Sequence, residues 1–557
     1  MGRRFPAMDI QTYFHTLRHL KAGQIYARLI RKLRRPQIDS RPAPDIRTGG
    51  RQDWVQPVKR PQSMLGPATF CFLNQTHTLH WPQGWNDAVA DKLWLYNLHY
   101  FDDLHAQGAE ERTAWHHRLL LRWVDENPPG KGNGWEPYPT SLRVVNWVKW
   151  ALAGNTLPEA AVHSLAVQVR WLGKHLEYHL LGNHLFANAK ALVFAGAFFE
   201  GQEARQWMDK GLAILAREIP EQILPDGGHF ERSPMYHAIA VEDMADLVNI
   251  CRAYPHSLPQ QGHELVRSWP DTVQRMLEWL QAMCHPDGNI VLLNDAALNI
   301  APGPKQLAQY CQRLGIRPAS RESGERLRVT QLPDTGYIRV DAGEAVAFLD
   351  TAPIGPDYLP GHAHADTLTF ALSVWGQRLI VDSGASCYGL GPERLRQRST
   401  AAHNTVVVDG KDSSEVWSGF RVARRAYPKG LTVRQDHEVV TVQCSHDGYT
   451  RLPGSPVHTR RWEFTPGKLG MQDSISDAQS GAQARLHLHP AWHCRRVDGH
   501  TADLHLAPGK RVRVAIRGGQ MTMEESTWHP EFGASLPNIC LVLDFYGQLY
   551  TEIGWDV

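Results

Sequence analysis

The hydrophobic period of this chain changes once, near Leu332, and that change limits the fold more than any other feature of the sequence. From about Asp91 to Ala308, apolar residues recur at i, i+3, i+4 and i+7, the stripe of amphipathic helices. TAWHHRLLLRWVDE, SLRVVNWVKWALA, HLFANAKALVFAGAFFE and AIAVEDMADLVNICRAY carry it, separated by breaks such as PPGKGNG and LPDGG. About eight helices of similar length predict hairpins stacked into an array or ring. Beyond the change, GYIRVDAGEAVAFLD, TLTFALSVWGQRLIVDSG, LTVRQDHEVVTVQC and NICLVLDFYG alternate apolar and polar residues between Gly, Asp and Pro turns. Helices followed by strands imply two segregated domains rather than an α/β sheet. The second is read as an antiparallel sandwich. The expected division is a basic helix and linker over 1–67, a helical domain over 68–330 and a β-sandwich over 331–557.

Charge narrows the partners. Lys plus Arg is 59 and Asp plus Glu is 57, so the net charge is +2, and no bulk field draws nucleic acid or an anionic membrane to the whole surface. An anionic substrate must therefore be met by a local site. No apolar run reaches the ~18 residues of a spanning helix. The first 35 residues are basic, and charges and His interrupt every apolar stretch, unlike the unbroken core of a cleavable signal. They predict one basic amphipathic helix from about Ile10 to Leu33, for which a membrane-surface role is one reading. Pro36 to Pro67 reads as a linker or wrapping segment. The eight Cys are dispersed with no C-x-x-C pair, leaving buried free thiols and a disulfide framework both open.

Four segments carry chemistry. In Gly361-His362-Ala363-His364-Ala365-Asp366 the two His stand at i and i+2 and would share one face of a strand. His364, Asp382 and His403 are spaced by 18 and 21 residues, each long enough for a hairpin to return. Two His and a carboxylate suit Zn²⁺ with an open or water-filled position; unconnected His on a sheet surface is the alternative. A metallo-hydrolase H-x-H-x-D-H cluster is discounted because position 367 is Thr. Asn183 and His184 open a helix, with Asn183 as expected N-cap, so capping and packing explain them equally. Asp226 to His237 (DGGHFERSPMYH) is denser in titratable groups than a helix connection needs. Gly134 to Arg143 (GWEPYPTSLR) puts Trp, Tyr and Arg at a helix entrance, suited to a sugar and its carboxylate or to a packed cap.

GNHLFANAKAL, DGGHFERSPMYH, HPDGNIVLLNDA, GHAHADTLTF, VDSG and RSTAAHNTVVVDG occur in this order. On them the chain resembles, from about Leu93 onward, the heparinase II/III-like polysaccharide lyases, related to several alginate lyases. The resemblance implies an incomplete (α/α) toroid followed by an antiparallel β-sandwich, acting by β-elimination on an acidic, uronate-containing polysaccharide. By it, Asn183 and His184 contact the C5 carboxylate. Tyr236 is the acid, and also the base in syn elimination; His362 is the base in anti elimination. His364, Asp382 and His403 hold a structural zinc that fixes the loop presenting His362. Glu136, Tyr138, Arg143, Arg232, Tyr388 and Arg398 are groove-lining candidates by residue type and segment position. A phenol has a pKa near ~10, so Tyr236 as base needs a neighbouring cation; His237, Arg398 and His184 are the candidates. Family members that act outside the cell usually carry a signal sequence and this chain shows none, which leaves localisation open between cell envelope, secretion and cytoplasm, or suggests processing of a surface polymer during its synthesis. The alternatives are a catalytically silent glycan-binding or assembly factor and, more weakly, a zinc hydrolase. The sequence sets no oligomeric state.

Overall fold

The computed structural model describes residues 10–33, 37–49, 53–319, 327–506 and 509–555. Its helical half has two layers. An inner row runs Lys92–Tyr100, Pro137–Leu152, Gly182–Phe198, Pro234–Ala253 and Pro304–Arg313, each packed on the next. An outer row of Thr113–Glu126, Glu159–Lys174, Gly201–Gln222 and Trp269–Ala282 covers it, which makes an incomplete toroid. Side chains dictate the layers. Gly182–Phe198 is built mainly of Ala, Leu, Val and Phe and is buried on every side beyond its first turn. Thr113–Glu126 buries only His116, Leu119, Leu120 and Trp123, a single stripe. Inner and outer helices meet closely at Gly196, where a Cβ would stand 2.7 Å from the Met208 nitrogen.

Most expected helices stand where the periodicity put them; the differences have local causes. Ile10 to Leu33 is two helices, Ile10–Leu17 and Ala22–Leu33, because Gln24 Oε1 accepts the Lys21 N–H at 3.0 Å and starts a new one. Gln260–Arg267 and Pro304–Arg313 were not separately resolved by the periodicity. Residues 37–49 and 53–63 wrap the helices: Asp45 and Arg47 bond the backbone around Phe199, and Asn249 holds Val55. A small sheet of Met64–Gly66, Thr69–Phe72 and Gln75–Thr78 follows.

The second half is two antiparallel sheets over one core. Five strands, Leu327–Leu332, Tyr337–Ala342, Ala345–Asp350, Phe370–Val374 and Gln377–Ile380, form one. A ten-stranded sheet faces it, and Val340, Leu349 and Phe370 share a core with Val442, Trp462 and Leu543. Its two longest strands, Lys510–Trp528 and Leu536–Gly554, change register at Gly518, whose φ of +91° and closeness to the Gln548 carbonyl admit only glycine. All eight Cys are free thiols.

The halves are fastened by an apolar seam and a polar clasp. Trp279, Met283, Val291 and Leu293 pack on Leu332, Tyr337 and Phe348. Beside them Asp226 Oδ2 accepts the Thr335 N–H (2.7 Å), the Thr335 hydroxyl (2.8 Å) and the Asp334 N–H (3.1 Å). We expect Asp226→Ala to cost about 2–3 kcal/mol, the scale of hydrogen bonds to a charged group. Urea denaturation measures it, and an unchanged midpoint would contradict a fastening role.

Candidate active site

A cleft of about 1100 Å³ opens between the halves, with Asn183, His184 and Tyr236 on the helical wall and His362, Tyr388 and Phe420 on the sandwich wall. The helical wall begins at a forced turn. Leu181 and Gly182 have φ of +67° and +55°, and a Cβ on Gly182 would stand 2.4 Å from Leu359 Cδ2. The helix therefore starts at Gly182 with Leu181 as N-cap, and Asn183, expected as the cap, lies in its first turn. It hydrogen-bonds the Tyr138 phenol instead of closing the helix. Asn183 lines the cleft at the positive end of this helix, a setting that favours an anion.

His184 Nδ1 lies 3.1 Å from Glu177 Oε1. Burial works against its charge, but Glu177, Glu231 and Glu136 outweigh it and hold the imidazole above its ordinary value. Tyr236 is placed by the next helix. Ser233 caps Pro234–Ala253 by accepting the Tyr236 N–H at 3.2 Å, and its own hydroxyl donates to the Asp295 carbonyl at 2.6 Å. The Tyr236 ring stacks on His362 with centroids 3.9 Å apart, and its hydroxyl lies 2.9 Å from that of Tyr388. Burial and Tyr388 push the Tyr236 phenol well above its ordinary value, so it keeps its proton.

Asp295 organises the opposite wall. Oδ2 accepts His362 Nδ1–H (3.0 Å) and Arg394 Nη2–H (2.6 Å); Oδ1 accepts His364 Nε2–H (2.8 Å) and the other Arg394 nitrogen. Burial opposes ionisation, but Arg394 and both imidazoles outweigh it and hold this carboxylate well below the ordinary range. An ionised carboxylate only accepts, so His362 carries a proton on Nδ1 and turns Nε2 away from Asp295. The His362–Asp366 segment is loop rather than strand, yet the two His share this one carboxylate. Glu231 is buried without a hydrogen-bond partner, and its Oε2 lies 3.7 Å from His362 Nε2.

The groove candidates divide. Tyr138 and Tyr388 line the cleft. Glu136 lies behind it, bonded by Lys92 (3.1 Å) and Tyr96. Three arginines do not line it, because each is spent on backbone carbonyls. Arg143 donates to Gly134 at 2.7 Å and to Gln168, Arg232 to Thr335 at 2.9 Å, and Arg398 to Ala363 at 3.0 Å. Arg398 thereby braces the loop between His362 and His364. His237 is not a cation for Tyr236 either: it packs on Trp279, bonds the Met276 carbonyl, and burial pushes it down to about 4. Asp295, Arg394, Glu231 and Glu177 were not singled out from the sequence. Asp295 and Glu231 lie inside the quoted HPDGNIVLLNDA and DGGHFERSPMYH, the only signal available, and Arg394 sits in a short helix that reads as surface.

Behind His362, His364 and His403 stand with ring centroids 5.2 Å apart. His403 Nδ1 donates to Asp382 Oδ2 at 2.8 Å. His364 Nδ1, His403 Nε2 and Asp366 Oδ2 are all buried without a partner. Both orphan nitrogens belong to imidazoles whose other nitrogen is held by a carboxylate, the arrangement that orients a zinc-ligating His. Among the described residues, however, no three such side chains already converge in metal-holding geometry.

The chain was compared with known proteins. The heparinase II/III N-terminus model matches residues 95–314 and the heparinase II/III-like C-terminal model residues 325–556. A heparin-sulfate lyase of Bacteroides stercoris is 28% identical over 263 residues, 43% of this chain and 38% of its own. That of Pedobacter heparinus is 26% identical over 347 residues, 55% and 50% respectively. The chain thus spans half or less of these two lyases. FtsZ-localized protein C of Caulobacter vibrioides is 27% identical over 453 residues, 77% of this chain and 72% of its own. Among solved structures, heparinase III superposes with a TM-score of 0.69 at 16% identity over 99% of this chain and 94% of that one, the same fold.

We expect Asp295→Ala to strand the buried Arg394 charge and to cost about 3–5 kcal/mol. Chemical denaturation reads it; a loss below about 1 kcal/mol, the worth of an exposed pair, would contradict the central place of Asp295.

Proposed function

The chain belongs to the heparinase II/III family, and on that premise we propose that it is a polysaccharide lyase cleaving a uronate-containing glycan, of the glycosaminoglycan class, by β-elimination. One observation carries the reading: a protonated phenol, Tyr236, and an Asp-oriented imidazole, His362, meet with ring centroids 3.9 Å apart and planes tilted by 31° beside Asn183 and His184. The C5 proton of a uronate is weakly acidic, so the main task is to withdraw charge from its carboxylate. The Asn183 amide, the charged His184 ring and the helix N-terminus do this. His362 Nε2 takes the C5 proton, the C4–O4 bond breaks, Tyr236 gives its proton to O4, and a C4–C5 double bond forms without water. Asp295 stabilises the imidazolium that His362 becomes.

His364 Nδ1 and His403 Nε2, with Asp382 and Asp366 as the available carboxylates, would hold a structural zinc that steadies the loop bearing His362. Metal analysis of the purified protein should find about one zinc per chain, and His403→Ala should remove it and lower Tm. A metal-free native protein with unchanged Tm would exclude this site.

A second reading, a catalytically silent glycan-binding or assembly factor, draws on the long match to FtsZ-localized protein C. The two separate on a panel of heparan sulfate, hyaluronan and alginate read by absorbance of unsaturated uronate. The lyase gives a rising signal, and Tyr236→Phe lowers kcat by about 10²–10⁴-fold. Silence on every uronate polymer would favour the second reading.

The rate should fall on the alkaline side, because loss of charge on His184 lowers it as pH rises through a value above the ordinary histidine pKa of about 6.5. Glu177 is the chief partner holding His184 charged, so Glu177→Gln should move the alkaline limb to lower pH. A limb that stays in place would remove His184 from that role.

A further inference from the structure

The two N-terminal helices are inside out. In Ile10–Leu17 the only buried residue is Thr16, and in Ala22–Leu33 it is Gln24. The polar side chains face the protein: Thr16 Oγ1 accepts from Trp417 Nε1 at 3.0 Å, and Gln24 donates to the Tyr358 carbonyl at 3.3 Å. Thr16, Leu20, Gln24 and Arg28, one residue per turn across both helices, line the cleft. The opposite face carries Ile10 (83% exposed), Phe14 (63%), Tyr26 (67%), Leu29 (57%) and Leu33 (80%). Of the twenty large apolar side chains exposed among the described residues, eight lie in these two helices. Ile10, Tyr13, Phe14 and Leu17 recur at i, i+3, i+4 and i+7, the spacing of one helix face. A stripe that would normally seek a core therefore faces outward.

Its occupant is indicated by charge. Between Ile10 and Leu33 there is no Asp or Glu, while Arg18, Lys21, Arg28, Arg31 and Lys32 are all present. A second copy docked about a two-fold axis would set these cations against themselves. Among the described residues no helix is long and apolar enough to cross a membrane, whereas short helices with an apolar face and flanking cations lie in the headgroup plane. We propose that these helices seat the protein on an anionic lipid surface, with Ile10, Phe14, Leu29 and Leu33 entering the acyl boundary and Arg18 and Lys32 meeting lipid phosphates, while Lys21 is held by Glu221 at 2.7 Å. Because the reverse face of the same helices lines the cleft, attachment brings the cleft mouth next to the membrane, where a polymer still at the lipid surface would meet it.

Co-sedimentation of the full chain with vesicles tests this. Binding is expected to vesicles of equal parts phosphatidylglycerol and phosphatidylcholine, to fall sharply with added salt, and to be weak on phosphatidylcholine alone. Phe14→Ser/Leu29→Ser/Leu33→Ser, none of which lines the cleft, should lower partition about tenfold or more while Tm is kept. Arg18→Glu/Lys32→Glu, which spares the apolar stripe, should lower it about fivefold or more per charge. A wild-type protein that stays in the supernatant with anionic vesicles at low salt overturns the proposal. So does a dimer, seen by light scattering, that the triple variant dissolves, since that assigns the face to a second copy; so does vesicle binding that neither variant alters.

Discussion

The structure turns on one buried carboxylate. Asp295 belongs to the helical half, and its four acceptor contacts go to His362, His364 and a forked Arg394 of the sandwich. Its main chain joins in: the Asp295 N–H donates to the His362 carbonyl at 3.0 Å, and its carbonyl accepts the Ser233 hydroxyl. Such a group is costly to bury alone and stable only when its charge and lone pairs are all met. Here they are met only when the two halves are docked.

That dependence links folding to chemistry. Ser233 caps the helix that carries Tyr236 and donates to Asp295, while Asp295 aligns His362 over the Tyr236 ring. The phenol and the imidazole thus take their positions from a shared anchor, although they stand on different domains. Burial keeps the Tyr236 phenol protonated, and Asp295 accepts the Nδ1–H of His362, leaving Nε2 on the side of Glu231. Glu177 does the corresponding work for His184 across the cleft. In the proposed reaction, the acid, the base and the charge neutraliser would each be defined by a neighbouring carboxylate or its absence, not by residue type alone.

The architecture was largely legible in the sequence because burial dictates period. Thr113–Glu126 and the strand around Val442 reveal themselves through spacing, and the order of the two periods separates the domains. Single side chains were less legible where backbone geometry intervened. Asn183 reads as a cap, yet the positive φ of Leu181 and Gly182 moves the helix start ahead of it. His362 and His364 read as strand neighbours, but they lie on a loop and meet at a shared carboxylate. Arg143, Arg232 and Arg398 have the chemistry of sugar-binding residues and are consumed by buried carbonyls. Asp295 and Arg394 were missed because their importance arises from a pairing 99 residues apart, which no local pattern encodes.

The most direct measurement is a crystal structure of the Tyr236→Phe variant soaked with a uronate-containing tetrasaccharide. The expected result is a uronate carboxylate within hydrogen-bonding distance of Asn183 and His184, with its C5–H directed at His362 Nε2 and its O4 over the position of the missing hydroxyl. A tetrasaccharide bound in that cleft with its carboxylate turned away from Asn183 and His184, or with His362 and the substituted ring both out of reach of C5 and O4, would contradict it.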